Sequence, residues 1–203
     1  LFVQSTAKAT LASGTVRLTQ KTEYPWSGAV TITVEPVEFA GPAEFAVNVR
    51  IPQWWCREPS IRVAGRPWPD MKVDRGYVRI QRRWQSGDKI ELDLPMPVER
   101  MQAHPRVQAN VGRVALQRGP VVYCLEGVDH GGRVANLVLP RRAELTASMQ
   151  PDLLGGVMVL KARGLAVAPP DWKGRLYQPL PRARSAEITA IPYHVWDHRE
   201  AGQ

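Results

Sequence analysis

Period-two alternation of apolar and polar residues limits what this chain can fold into. Val30, Ile32 and Val34 alternate with Thr31 and Thr33. Val47, Val49 and Ile51 alternate with Asn48 and Arg50, and Ile90, Leu92 and Leu94 with Glu91 and Asp93. Successive side chains of a strand point to opposite faces, so each run buries one face and wets the other. Similar segments lie at residues 16–20, 76–80 and 157–162, with shorter ones at 61–63 and 134–139. β-Branched residues are common in them, as a pleated, half-buried surface favours. No stretch carries a helical period of apolar residues. The 18 Pro and 16 Gly fall between the apolar runs, where they read as turns rather than disorder. Short strands at regular intervals with turns between them predict an all-β fold, an antiparallel β-sandwich or jelly roll.

A length of 203 residues suffices for one large or two small β domains. Two packed sandwich subdomains are expected, residues 1–105 and 106–184, with residues 185–203 returning to the first. Residues 1–11 read as a lead-in. Residues 144–154 fit either a strand with a loop or a short helical turn. The run at 110–126 joins two apolar segments, 114–116 and 121–125, across Gly119 and Pro120. Proline cannot donate to a sheet ladder and glycine lets the backbone turn sharply. The run therefore reads as one central strand that bends between two sheets, with Arg118 and Glu126 in structural roles. Residues 187–196 read as a last strand, with Pro192 at an edge or a bend.

The formal charge of +8 and the pI near 9.9 raise the question of anionic partners. Arg17, Arg50, Arg62 and Arg79 each alternate with apolar neighbours, which spreads them over the solvent faces of different strands. Only short clusters such as Arg82-Arg83 and Arg141-Arg142 occur, and no nucleic-acid partner is expected. No apolar run is long enough to span a bilayer, and no membrane partner is expected. The chain begins at Leu1 rather than Met, which reads as a fragment or a processed form. Cys56 and Cys124 are too few for a disulfide scaffold and read as free thiols, which suits a reducing, cytoplasmic setting.

His194 and His198 are four apart, the spacing of two metal ligands on one helix face. Pro192 and the β-branched run before it place them on a strand or loop instead, so no metal site is expected. Glu91 and Asp93 point outward together from one strand, unlike the opposed carboxylates of a glycosidase. No Gly-x-Ser-x-Gly elbow or phosphate loop occurs. Trp54, Trp55, Trp68 and Trp84 lie at strand ends and turns. An aromatic ring with a polar handle can stack on a sugar face, which makes these four the candidate carbohydrate contacts. The competing reading has them sealing the end of the core or packing against another domain.

Four stretches carry a family resemblance. Residues 22–28 read Thr-Glu-Tyr-Pro-Trp-Ser-Gly, and the strand at 45–51 runs into Pro52-Gln53-Trp54. Residues 114–126 read Val-Ala-Leu-Gln-Arg-Gly-Pro-Val-Val-Tyr-Cys-Leu-Glu, and residues 188–196 read Ile-Thr-Ala-Ile-Pro-Tyr-His-Val-Trp. In this order they resemble the region after the barrel in glycoside hydrolase family 127, the β-L-arabinofuranosidase-like proteins. The resemblance implies an N-terminal (α/α)6 barrel that carries catalysis and is the partner of these sandwiches. It implies retaining hydrolysis by a cysteine of a Cys-Cys pair held near zinc, with a glutamate as acid/base, all upstream of Leu1. This chain has no Cys-Cys pair, so no catalytic or metal residue carries over and no cofactor is expected in it. The expected role is a non-catalytic support for that barrel. A freestanding carbohydrate-binding module is the alternative.

Overall fold

A computed structural model describes residues 3–52, 58–169, 171–179 and 181–199. The chain divides into two compact units, Leu1–Pro97 and Val98–Gln203. The division falls at Pro97 rather than near Pro105, because residues 98–101 pair as a strand inside the second unit.

The first unit contains β1 (Ser5–Leu11), β2 (Gly14–Thr22), β3 (Ala29–Phe39), β4 (Glu44–Arg50), β5 (Ser60–Val63), β6 (Arg66–Pro67), β7 (Val73–Asp74), β8 (Tyr77–Arg83) and β9 (Asp88–Asp93). One sheet has the order β1-β2-β3-β9-β5-β6 and the other β4-β8-β7, with antiparallel pairing among the described residues. Val30, Val34, Ile61, Val63, Ile90 and Leu92 of the larger sheet share one buried cluster with Val47, Val49, Val78 and Ile80 of the smaller. Each such side chain taken out of water stabilises the fold by about 2 kcal/mol. Asn48, Arg50, Glu91 and Asp93, the alternate residues, are exposed. This is a β-sandwich, built on the alternation that predicts it.

Two details depart from the sequence reading. The lead-in is an edge strand: β1 pairs along its whole length with β2. Its side chains are exposed on both faces until Leu11, so it carries no alternation to read. β3 continues through Pro36 to Phe39, beyond the alternating run of Val30, Ile32 and Val34. Pro36 faces Val16 and Glu38 faces Thr15, which leaves Val37 as the extra residue of a bulge. A bulge interrupts the ladder, so a proline is tolerated beside it.

The second unit contains β10 (Val98–Met101), β11 (Ala115–Arg118), β12 (Val121–Cys124), β13 (Leu137–Val138), β14 (Leu145–Gln150), β15 (Val157–Val167) and β16 (Ala183–Pro192). Their order is β10-β11-β12-β16-β15-β13, with β14 also paired to β15. The central run does not form a single bent strand. β11 and β12 are a hairpin, with Leu116 opposite Tyr123 and Arg118 opposite Val121. Gly119 (φ 54°) takes the first turn position, where a primed hairpin turn needs a positive φ. The strand that passes between two partners is β16. It pairs with β15 through Ala190 and with β12 at Ile191 and Pro192. That pairing keeps residues 183–192 in the second unit rather than returning them to the first. The sheet curls round buried Leu116, Val121, Tyr123, Val159, Leu160 and Ile191. Beyond Pro192 the chain leaves the ladder in a 3-10 turn, Tyr193–Val195.

Candidate functional site

Trp54 and Trp55 lie outside the described residues. Trp84 continues the inward register of Val78 and Ile80 past the end of β8 and is 3% exposed. Its Nε1 donates to the Phe45 carbonyl at 2.9 Å, and its ring stacks on Phe45 at 5.8 Å between centroids. No sugar face reaches it there, so Trp84 is a core residue. Trp68 packs half-buried against the same core and donates its backbone N–H to the Ile61 carbonyl at 2.8 Å. Its Nε1 is buried as well. Register decides the case of Trp84: an aromatic residue one step past a strand still follows that strand's inward face.

The structure gathers a polar cluster that pattern reading missed. Glu126, directly after Leu125, is 7% exposed. Arg199 donates from Nε to Glu126 Oε2 at 2.7 Å, and its Nη2 donates to the same oxygen. The other oxygen, Oε1, accepts the Asp197 backbone N–H at 2.7 Å. Arg199 also reaches Asp129, with Nη1 to Oδ1 at 3.0 Å and Nη2 to Oδ2 at 2.6 Å. Hydrogen bonding to Asp129 raises the Arg199 pKa; burial opposes it and Glu126 adds to it. His130 completes the set. Its Nε2 accepts the Thr189 N–H at 3.1 Å, which leaves the proton on Nδ1 to donate to the Glu126 carbonyl at 2.6 Å. The only sequence signal was a charge at the end of an apolar run; its partner lies 73 residues away.

This cluster is a clasp, not an acid–base pair. Both Glu126 oxygens are engaged, and Glu126 and Asp129 face one shared cation. A glycosidase needs one protonated and one ionised carboxyl across a scissile bond. Glu91 and Asp93 are exposed on one face of β9, beside Arg62 and Ser60, in an open groove of about 260 Å³.

The zinc that the resemblance implies finds no donor set among the described residues: no three of His, Cys, Asp and Glu are placed to hold a metal ion. Burial and then Glu126 push the Cys124 thiol up to about 11, although the Arg199 charge opposes them. A thiol of that kind is neutral and a poor nucleophile or ligand. Cys56 lies outside the described residues. Burial likewise pushes the Tyr123 phenol up to about 12, against the Arg118 charge. His198 Nδ1 lies 3.0 Å from the Trp196 carbonyl, and His104 Nδ1 accepts the Arg106 N–H at 3.2 Å.

Among the described residues, one stacked aromatic pair faces solvent. Tyr193 and Trp196 are 58% and 52% exposed, with centroids 6.0 Å apart and planes within 6° of parallel. On a strand, residues three apart point to opposite faces. On a 3-10 turn, three residues make one revolution, so the two rings eclipse on one side.

Residues 1–96 match the family model of the β-L-arabinofuranosidase GH127 middle domain, and residues 98–203 match that of the glycoside hydrolase family 127 C-terminal domain. The whole chain is 32% identical to part of a non-reducing end β-L-arabinofuranosidase from Bifidobacterium longum subsp. longum, and covers 31% of it. It superposes over its full length, at TM-score 0.90 and 44% identity, on 32% of a GH127 β-L-arabinofuranosidase from Geobacillus stearothermophilus T6. A second structure, a glycoside hydrolase, matches at TM-score 0.85 and 32% identity, with 34% of that chain covered. The chain thus spans about a third of the length of the relatives it matches. With two models matched in order along its length, this chain belongs to glycoside hydrolase family 127, of which it carries the middle and C-terminal domains.

Proposed function

We propose that this chain is the non-catalytic β portion of a family 127 glycoside hydrolase. It supports an N-terminal (α/α)6 barrel in the hydrolysis of arabinofuranoside-type bonds. The observation that carries this reading is coverage: two non-barrel domain models account for the chain, while the arabinofuranosidases it resembles are about three times as long. The site chemistry agrees with it. Glu126 and Asp129 are held by Arg199, Cys124 is a half-buried neutral thiol, and Glu91 and Asp93 sit on one open face. A sandwich with a packed core and a second, curled sheet supplies stiffness, and stiffness is what a catalytic neighbour needs from a support. Zinc and the nucleophile belong to the barrel in this reading. The purified chain is expected to release no arabinose from an aryl β-L-arabinofuranoside, with or without added zinc. Zinc-dependent turnover by the chain alone would overturn the proposal.

A further inference from the structure

We propose that Tyr193 and Trp196 form a stacking platform for a sugar ring, a saccharide-binding site on the second unit. Three observations carry it. First, the rings are near-parallel and stacked on each other, lie on one side of the 3-10 turn and are more than half exposed. The other exposed aromatic residues among those described differ: Tyr77 carries the Arg50 guanidinium 5.3 Å from its ring centre, and Trp172 and Tyr177 lie in a stretch without strand pairing.

Second, the platform is fixed before any ligand arrives. Pro192 pairs opposite Tyr123 on one side of the turn. On the other side Glu126 holds the Asp197 N–H, and Arg199 is held by Glu126 and Asp129. Asp197 is kept at φ 60°, a conformation that its bond to Glu126 secures. A largely buried ion pair is an expensive way to secure a tail, but a good way to hold one geometry. Rings held in place lose little freedom on binding.

Third, the rim is polar. Asp197 and His198 are exposed next to the rings. A sugar ring offers a C–H face to an aromatic plane and hydroxyls around its edge, so an exposed ring backed by a stacked neighbour, with a polar border, fits it. A protein surface docking there would have to desolvate that border.

The choice of an arabinose-type saccharide rests on the family reading above. The test uses the chain itself, titrated with methyl β-L-arabinofuranoside and with an arabino-oligosaccharide, followed by ligand-observed NMR. Saturable millimolar binding is expected, weakened roughly tenfold by Trp196→Ala and by Tyr193→Ala, with Trp172→Ala unaffected. Trp196→Phe, which keeps a ring face, should retain most of the binding and so separates loss of the platform from loss of fold. No saturable binding to either sugar, or binding indifferent to both alanine variants, overturns the platform. So does a result in which Trp196→Ala weakens capture of a family 127 barrel while no sugar binds, because that assigns the rings to a protein contact. None of these failures touches the support reading, which falls only to zinc-dependent turnover by the chain.

Discussion

Arg199 divides its guanidinium between Glu126, which is nearly buried, and Asp129. Arg199→Ala would leave the Glu126 charge facing only one backbone N–H. It is expected to lower the unfolding free energy by about 3 kcal/mol, read from urea denaturation. Arg199→Lys should recover only part of this, since one ammonium cannot serve two carboxylates as a planar fork does. Lys161 and Glu187 make an instructive contrast. Their 2.8 Å pair lowers the Glu187 pKa, chiefly through the hydrogen bond from Lys161, yet it lies in solvent. Lys161→Ala should leave the denaturation midpoint where it was. The Cys124 thiol makes a pH prediction. An ordinary thiol titrates at 9.0 and this one at about 11, so the unfolded chain gives up its proton first. The stabilisation is intact below pH 9 and is lost as the pH climbs toward 11. Denaturation midpoints measured across that window should fall less in Cys124→Ala than in the parent.

At the scale of elements, Gly28 shows how little slack the first sandwich has. A Cβ there would stand 1.9 Å from the Leu94 carbonyl oxygen, just past the end of β9. Gly28→Ala must push two backbones apart and is expected to cost about 2 kcal/mol, seen as a lowered melting temperature. What the sequence revealed of these elements followed one rule. β3, β4, β8 and β9 bury one face and wet the other, so they could be read. β1 and β14 are exposed along almost their entire lengths, and a strand with no buried face leaves no periodic trace. The hairpin at Gly119-Pro120 was misread for another reason. The two residues that make a tight turn also make a plausible bulge, and only the pairing partner distinguishes them. The last strand was read four residues too far, through Trp196 rather than to Pro192. That error hid the ring pair, because a strand would have put Tyr193 and Trp196 on opposite faces.

For the molecule as a whole, the family was legible because its motifs are local and ordered along the chain. The Glu126–Arg199 clasp was not, since it is made by residues far apart in sequence. Nor was the inward turn of Trp68, although the register of β8 already aimed Trp84 at the core. Arg17, Arg50, Arg62 and Arg79 are exposed on four different strands, β2, β4, β5 and β8. Association with duplex DNA should therefore be confined to low ionic strength and vanish near ~0.15 M salt, as gel-shift titration would show. Persistent binding there would mean that the arginines converge after all.

The clasp also bears on how the chain withstands wear at its tail. An exopeptidase working inward past Arg199 would strip the counter-ion from a carboxylate sealed away from water. Resistance to further digestion should then drop in one step at that residue instead of declining gradually.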